Sequence, residues 1–326
     1  MAAKKKTSPR RGARKRDAVA QAIAGGKREA MEVIERRAKQ RKARARVVAS
    51  AEARRAAAPE MSPAGMRAIE ALGPFTAKAV LIAEGDSWFD YPRNDVLSKL
   101  EDKHGFDVES VAHWGDRVED MAFAGGQLDA FSRRLEKLLQ KGSIPKAILL
   151  SGGGNDIAGD EFEMLLNHAN SPIAGLNDDV VTGVIDQRIA VSYAFVISAI
   201  TAICEKYLHR PLPIVVHGYG YPVPDGREVG GVSFLPGPWL KPGFDRKGFS
   251  DRMKNTATMK ALIDRFYVMM ERLVAQFAHV HLVDLRRTLL NDATYKTYWG
   301  NELHPTEKGF ELVAAKFAAV VDSLPS

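Results

Sequence analysis

The chain of 326 residues is poor in cysteine: Cys204 is the only one, so no disulfide can form within it. That suits a reducing compartment, and a cytoplasmic protein is the default expectation. No stretch approaches the ~18 consecutive apolar residues of a membrane span, so none is expected. The opening MAAKKKTSPRRGARKR is followed by no apolar run of signal-peptide kind. A mitochondrial-type transit peptide fits less well, since Glu29, Glu32 and Glu35 are out of character for one. Residues 1–55 contain no aromatic side chain, which argues against base stacking by this segment. Several catalytic signatures are also missing. No G-x-S-x-G elbow occurs, the glycines of SGGGND lack the Lys-Ser/Thr of a P-loop, and neither H-E-x-x-H nor C-x-x-C is found. An α/β-hydrolase elbow, a P-loop nucleotide site and zinc sites of those types are therefore not expected.

What is present divides unevenly by charge. Residues 1–55 hold nineteen Lys/Arg against five Asp/Glu, whereas the remaining 271 hold twenty-eight against thirty-five. The net charge of +7 thus conceals a basic arm on a mildly acidic body. With 45% hydrophobic and 27% charged residues, the composition is that of a soluble globular protein. Residues 1–26 carry few large apolar side chains and are expected to be disordered. Residues 27–57 are rich in Ala, Glu, Lys and Arg, with Glu32/Arg36 and Glu35/Lys39 spaced i,i+4. Too few apolar residues for a packed face leave a solvated, partly formed helix as the expectation. The basic, disordered to partly helical arm is placed at 1–60 and a linker at 61–77, marked by Pro59, Pro63 and Pro74. Residues 1–16 hold eight Lys/Arg and no acid, a composition that either binds a polyanion (nucleic acid or anionic lipid) or simply solvates.

From Lys78 strand and helix patterns alternate. Strands are expected at 79–88, 107–115, 147–156, 213–220 and 280–285. Helices are expected at 94–105, 126–141, 178–208 and 254–278, with a last one after His304. Leu128, Phe131, Leu135 and Leu138 share one helical face, as do Phe310, Val313, Phe317 and Val320. Gly105 is placed to close the first of these helices. Five apolar strands separated by helices predict a parallel sheet covered on both faces, an α/β domain over 78–322. Ligands of such sheets bind beyond the carboxyl ends of the strands, where Ser87, Gly115, Asn155 and His217 fall. Residues 221–250 lack periodicity and are rich in Gly and Pro, which predicts a long loop. Tyr219, Tyr221, Phe234, Trp239, Phe244 and Phe249 lie in or beside it, with Arg227, Lys241, Arg246 and Lys247. The loop is either a substrate-binding lid, with Tyr221 and Trp239 toward the substrate, or one pinned to the body by its aromatics.

Acyl transfer by a serine needs a hydroxyl, a base within reach, and donors aimed at the developing oxyanion. Ser87 ends the first apolar run in Glu84-Gly85-Asp86-Ser87-Trp88, where Gly85 permits a tight turn. Taken alone it reads equally as a turn or cap serine. Gly115 in Ala112-His113-Trp114-Gly115-Asp116 offers a backbone N–H, and Asn155 in Gly153-Gly154-Asn155-Asp156 a carboxamide. His304, in Asn301-Glu302-Leu303-His304-Pro305, stands at the foot of the last helix, one of eight histidines.

The order Gly-Asp-Ser, Gly115, Gly-x-Asn-Asp and x-x-x-His-Pro resembles the SGNH/GDSL hydrolases over about residues 79–322. The resemblance implies a three-layer α/β/α fold with a flavodoxin-like sheet and no metal or organic cofactor. It implies Ser87 as nucleophile on an ester carbonyl and His304 as its base. The oxyanion hole would be the N–H groups of Ser87 and Gly115 with the Asn155 side chain. The implied substrate is an ester of a small molecule, lipid or glycan. One departure stands out. The family pattern Asp-x-x-His here reads Asn301-x-x-His304. An amide oxygen can accept from the imidazole Nδ1, whereas its N–H₂ would favour the wrong tautomer. Asn301 is taken as the orienting group. Glu302 or Asp284 as replacement acid, and a bare Ser87–His304 dyad, are the alternatives. The departure also leaves open a binding module with this fold and weak or no catalysis.

Overall fold

The computed structural model describes residues 10–55, 77–229 and 237–325, with side chains of the first segment given between 18 and 42. Five strands, β1 (Val80–Glu84), β2 (Asp107–Ser110), β3 (Ala147–Leu150), β4 (Ile214–His217) and β5 (Val280–Val283), form one parallel sheet. Their order is β2-β1-β3-β4-β5, the flavodoxin-like order that the resemblance implies, in the parallel sheet that the alternating pattern predicts. All five begin within one residue of the predicted starts and stop two to six residues early. The surplus apolar residues, such as Trp88 and Phe89, are buried in the turns rather than in the ladder. Leu81, Ile82, Ala147, Ile148, Leu149, Ile214, Val215 and Val216 are sealed from solvent on both faces of the sheet, as an all-parallel sheet requires.

The helices follow the sequence pattern closely. α2 (Val96–His104) is capped by Asp95, whose side chain accepts from the Ser98 N–H, and is closed by Gly105 at φ 72°. α3 (Val118–Phe123) and α4 (Gln127–Gln140) come next, the latter burying Leu128, Phe131, Leu135 and Leu138. After β3 come the short α5 (Asp160–Met164) and α6 (Asp178–Gly183), then a π-helical stretch, Val184–Ile189, leading into α7 (Ala190–Leu208). The run Asp178–Leu208 is long and apolar enough by composition to cross a bilayer, with an 18-residue window of mean hydropathy 1.5, but 72% of that window is buried in the body. It is a core helix here. Within 221–250 the structure contains a helical turn, α8 (Lys241–Arg246). Phe234 lies outside the described residues. α9 (Arg252–Val274) starts on the Asp251 cap, and α10 (Glu307–Ser323) on the Thr306 cap.

The N-terminal segment departs from expectation. Residues 10–26, expected to be disordered, begin a continuous helix, α1 (Arg10–Arg55), which packs against α7 and α4. Its buried stripe is Ala22, Gly26, Ala30, Val33, Ile34 and Arg37, recurring at helical spacing. A count of large apolar residues missed it because the contact is made by small ones. A Cβ on Gly26 would stand 2.2 Å from the Phe195 carbonyl oxygen, so the two backbones touch only because that position is glycine. Arg37 is buried too and gives a 2.7 Å ion pair to Glu136. Glu136 also accepts from the Tyr207 hydroxyl at 2.6 Å. Arg36 and Arg41 pair with Asp129 and Glu136, so part of the basic charge is matched by the body. Residues 1–9 and 56–76, the latter holding all but the last residue of the linker expected at 61–77, lie outside the described residues.

Candidate active site

The loops after β1, β3 and β4 meet above the sheet, and one carboxylate joins them. Gly85 lets β1 turn beside β3, since a Cβ there would stand 2.7 Å from Cβ of Ser151. Asp86 then points into the body, 1% exposed. Its carboxylate accepts from the Trp88 N–H (3.0 Å), the Ser151 hydroxyl (2.6 Å) and the Tyr219 hydroxyl (2.5 Å). Tyr219 in turn accepts the N–H of Gly154 at 3.0 Å. His217, wholly buried, meets the Ser151 hydroxyl through Nε2 at 2.8 Å, and burial lowers its pKa. This network leaves Ser87 on the outer side of a rigid turn. A buried, satisfied polar network of this kind holds its members in one arrangement.

Ser87 Oγ lies 2.8 Å from Nε2 of His304, although 217 residues separate them in the chain. His304 is 6% exposed, stacked on the Tyr91 ring at 4.2 Å and edged by Trp239 at 5.5 Å. Its Nδ1 is 3.1 Å from Oδ1 of Asn301. The orientation of that amide follows from its other partners. Oδ1 also accepts the backbone N–H groups of Leu303 (2.9 Å) and His304 (2.8 Å), which only an oxygen can do. Nδ2 of Asn301 donates to the Tyr91 hydroxyl at 3.2 Å. Nδ1 of His304 therefore carries the proton, and Nε2 presents its lone pair to Ser87. Burial pushes His304 down to about 3, with no charge beside it to pull it back.

The two other sequence candidates for the acid are placed elsewhere. Asp284 is exposed and ion-paired with Arg286 at 2.6 Å. Glu302 is fully buried and its carboxylate accepts four backbone N–H groups, from Gly226, Trp239, Leu240 and Lys241, at 2.7–3.1 Å. It fastens Gly226 and the segment 239–241 rather than the imidazole. Tyr221 is also turned aside, donating to Asp264 at 2.6 Å beneath the Lys260 ammonium. Trp239, by contrast, does line the cavity at Ser87. Within the loop, Phe244 packs against Phe162 (4.9 Å) and Trp239 borders the cavity beside His304.

Gly115 and Asn155 line the same cavity as Ser87 and His304. Gly115 sits at φ 87° in open space. The Asn155–Asp156 pair anchors its loop: Asn155 Nδ2 donates to the Asp116 carbonyl (2.9 Å), and Asp156 accepts the Val118 N–H (2.9 Å). Burial raises the Asp156 carboxyl to about 6. An amide nitrogen carries two hydrogens, so Asn155 keeps one beyond its bond to Asp116. Among the described residues, no acceptor takes the backbone N–H of Ser87 or of Gly115. Two spaces adjoin Ser87 and Asn155. The outer one is about 300 Å³ and is lined by Tyr91, Trp114, Trp239, Leu303 and His304. The inner is about 40 Å³ and lies between Gly154, Tyr219 and α9. Among the described residues no group of three His, Cys, Asp or Glu is placed to hold a metal ion.

Tyr91, Ser151 and the Asp86 carboxylate were not anticipated as members of the site. Asp86 and Ser151 do stand in the motifs that drew attention, Gly-Asp-Ser and Ser-Gly-Gly-Gly-Asn-Asp. Tyr91 carries no such signal.

No family model and no curated protein matches the chain. Solved structures do. An extracellular lipase from Streptomyces rimosus is 17% identical, with 76% of this chain and 100% of that one covered, at a TM-score of 0.44. A family 3 carbohydrate esterase from Clostridium thermocellum is 14% identical, with 76% and 99% covered and a TM-score of 0.42. A lipase/acylhydrolase from Enterococcus faecalis is 11% identical, with 76% and 97% covered and a TM-score of 0.38. The chains of known structure to which this one is similar thus include lipases and esterases, all at low identity.

Proposed function

We propose that the protein is a serine hydrolase that cleaves carboxylic esters through an acyl-enzyme, acting in the cytoplasm. The carrying observation is the chain of contacts Ser87 Oγ–His304 Nε2 (2.8 Å) and His304 Nδ1–Asn301 Oδ1 (3.1 Å), in which the tautomer required of a general base is fixed. Ser87 Oγ attacks the ester carbonyl and its proton passes to Nε2 of His304. The bond from carbonyl carbon to the leaving oxygen breaks, and that oxygen departs as the alcohol with the same proton. A water then attacks the acyl-enzyme, giving its proton to His304, and the acid leaves as Ser87 regains its hydrogen. The unpartnered N–H groups of Ser87 and Gly115, with the remaining hydrogen of Asn155, are the donors for the oxyanion in both steps.

Purified protein should hydrolyse a p-nitrophenyl ester of a short acid, and Ser87→Ala should reduce turnover by at least about 10³-fold. Wild-type turnover in Ser87→Ala would refute the assignment. A second reading rests on Asn301, which cannot stabilise an imidazolium as a carboxylate does: the fold then serves mainly as a binding module. Labelling of Ser87 by a fluorophosphonate separates the two, because only a competent nucleophile reacts.

A further inference from the structure

We infer that Ser87 stands between an alcohol site and an acyl site, and that the acyl site admits only short acids, of about two to four carbons, esterified to a much bulkier alcohol. The inference rests on the esterase reading above and names its substrate class.

The assignment of the two spaces follows from where the proton must go. The leaving oxygen takes its proton from Nε2 of His304, so the alcohol has to lie on the imidazole side of Ser87. His304 lines the outer space and not the inner one. The alcohol therefore occupies the outer, 300 Å³ space, whose walls are the rings of Tyr91, Trp114 and Trp239 with Leu303. Trp114 is 58% exposed, a large apolar side chain open to solvent beside a polar site. Flat rings set in this way suit a ring-bearing alcohol.

The acyl chain must leave the carbonyl carbon in the other direction. Ser87 and Asn155 also border the inner space, which Ile157, Ala158, Tyr219, Leu240, Met259 and Ile263 enclose. Carbon atoms make up most of the lining of both spaces, so size rather than polarity separates them. The size of the inner space is the limit. About 40 Å³ accommodates about three water-sized groups, at roughly 10–15 Å³ each, which is room for a chain of a few carbons. The six side chains are at most 6% exposed and belong to the core. Packed interiors do not give way without displacing their neighbours, so a longer chain cannot push the wall back cheaply. Gly154 shows how close the fit is: a Cβ there would stand 2.9 Å from the Tyr219 ring.

The test is a series of p-nitrophenyl esters, acetate, butyrate and octanoate, with the full chain. A parallel series of alkyl p-nitrophenyl phosphonates, methyl and octyl, reads the labelling rate at Ser87. Wild type should favour acetate to butyrate, with kcat/KM down by about 100-fold or more at octanoate. The labelling rates should fall in the same order. Met259→Ala and Ile263→Val, made separately and checked for folding by circular dichroism, should raise octanoate relative to acetate by about 10-fold. Ala158→Leu should lose butyrate before acetate. A wild-type preference for octanoate would overturn the inference. So would a chain-length profile that Trp239→Ala shifts and Met259→Ala does not. In both cases the esterase reading would stand. Absence of Ser87-dependent hydrolysis together with absence of phosphonate labelling would overturn the esterase reading, and this inference with it.

Discussion

The amide oxygen of Asn301 lies 3.1 Å from Nδ1 of His304, at the position where a carboxylate would bring a full charge. The contact sets the tautomer but supplies no electrostatic stabilisation of the imidazolium. Burial then dominates and holds His304 at about 3. A histidine depressed this far is neutral throughout pH 5–8, so kcat/KM should show no acid limb from His304 in that range. Asn301→Asp places a carboxylate against Nδ1 and favours the charged ring. The pKa of His304 should rise, an acid limb should enter the pH 5–7 window, and the plateau rate at pH 8 should increase by about 10-fold or more. Asn301→Ala removes the orienting oxygen and should cost about 10²–10⁴-fold in kcat. A pH–rate profile of Asn301→Asp that overlays wild type would mean that this contact does not govern the base.

Glu302, next in sequence, does a different job. With no solvent exposure, its carboxylate binds four backbone N–H groups of the segment that carries Trp239 and Leu240. Burial raises its pKa, and the four hydrogen bonds oppose that. Glu302→Gln turns one acceptor into a donor that faces other donors. Leaving buried N–H groups unmet costs about 1–3 kcal/mol each, so an overall loss of about 3 kcal/mol is expected in urea unfolding. Proteolysis should begin between 226 and 241. KM should rise more than kcat falls, since the wall of the outer cavity is loosened while Ser87 and His304 are untouched.

The central strands β1, β3 and β4 were legible because strands buried on both faces read as apolar runs, whereas the edge strand β2, Asp-Val-Glu-Ser, is half-buried throughout and carries no such run. The pairing of Ser87 with His304 was legible only through the ordered motifs and the resemblance they carry, since alone Ser87 reads as a turn serine and His304 is one of eight histidines. Other features depend on partners remote in sequence. The loop contacts of Glu302 span 61–76 residues, and no local pattern marks a carboxylate that will meet four backbone donors. Tyr221 and Tyr219 look alike in sequence, yet one turns to Asp264 and the other to Asp86. The early part of α1 and its packing were unreadable for another reason: at Ala22, Gly26 and Ala30 the contact is made by small residues that contribute little to a tally of apolar side chains.

That helix gives a third prediction. Gly26→Val would drive a side chain into the Phe195 carbonyl, so α1 has to lift from α7 or α7 has to move. The expected loss is about 2–3 kcal/mol. Arg37→Ala strands Glu136 as a buried carboxylate with a weaker partner, at a cost of about 3–5 kcal/mol. Both should lower the thermal midpoint of the whole protein in a single transition. An unchanged midpoint in both variants would show that the helix adds nothing to the stability of the body.

Asp86 offers the sharpest separation of positioning from simple stability. It borders the inner cavity, but its carboxylate accepts from Trp88, Ser151 and Tyr219, and so joins the loops that carry Ser87, Asn155 and one wall of that cavity. Asp86→Asn is isosteric, but its N–H₂ must face a hydroxyl or a backbone N–H that already donates, and one of the three contacts becomes repulsive. The turn bearing Ser87 should then relax away from Nε2 of His304. Displacements of about 1 Å at a reacting centre cost about 10²-fold. We therefore expect Asp86→Asn to lower kcat by about 10² with little change in KM. The rate of fluorophosphonate labelling at Ser87 should slow by a similar factor, at a temperature where circular dichroism shows the protein folded. Tyr219→Phe removes a single donor and leaves the Gly154 N–H without its acceptor, so its effect should be smaller and in the same direction. A purely structural carboxylate would lower the melting temperature and leave the labelling rate of the folded protein unchanged, and that result would remove Asp86 from the positioning of Ser87.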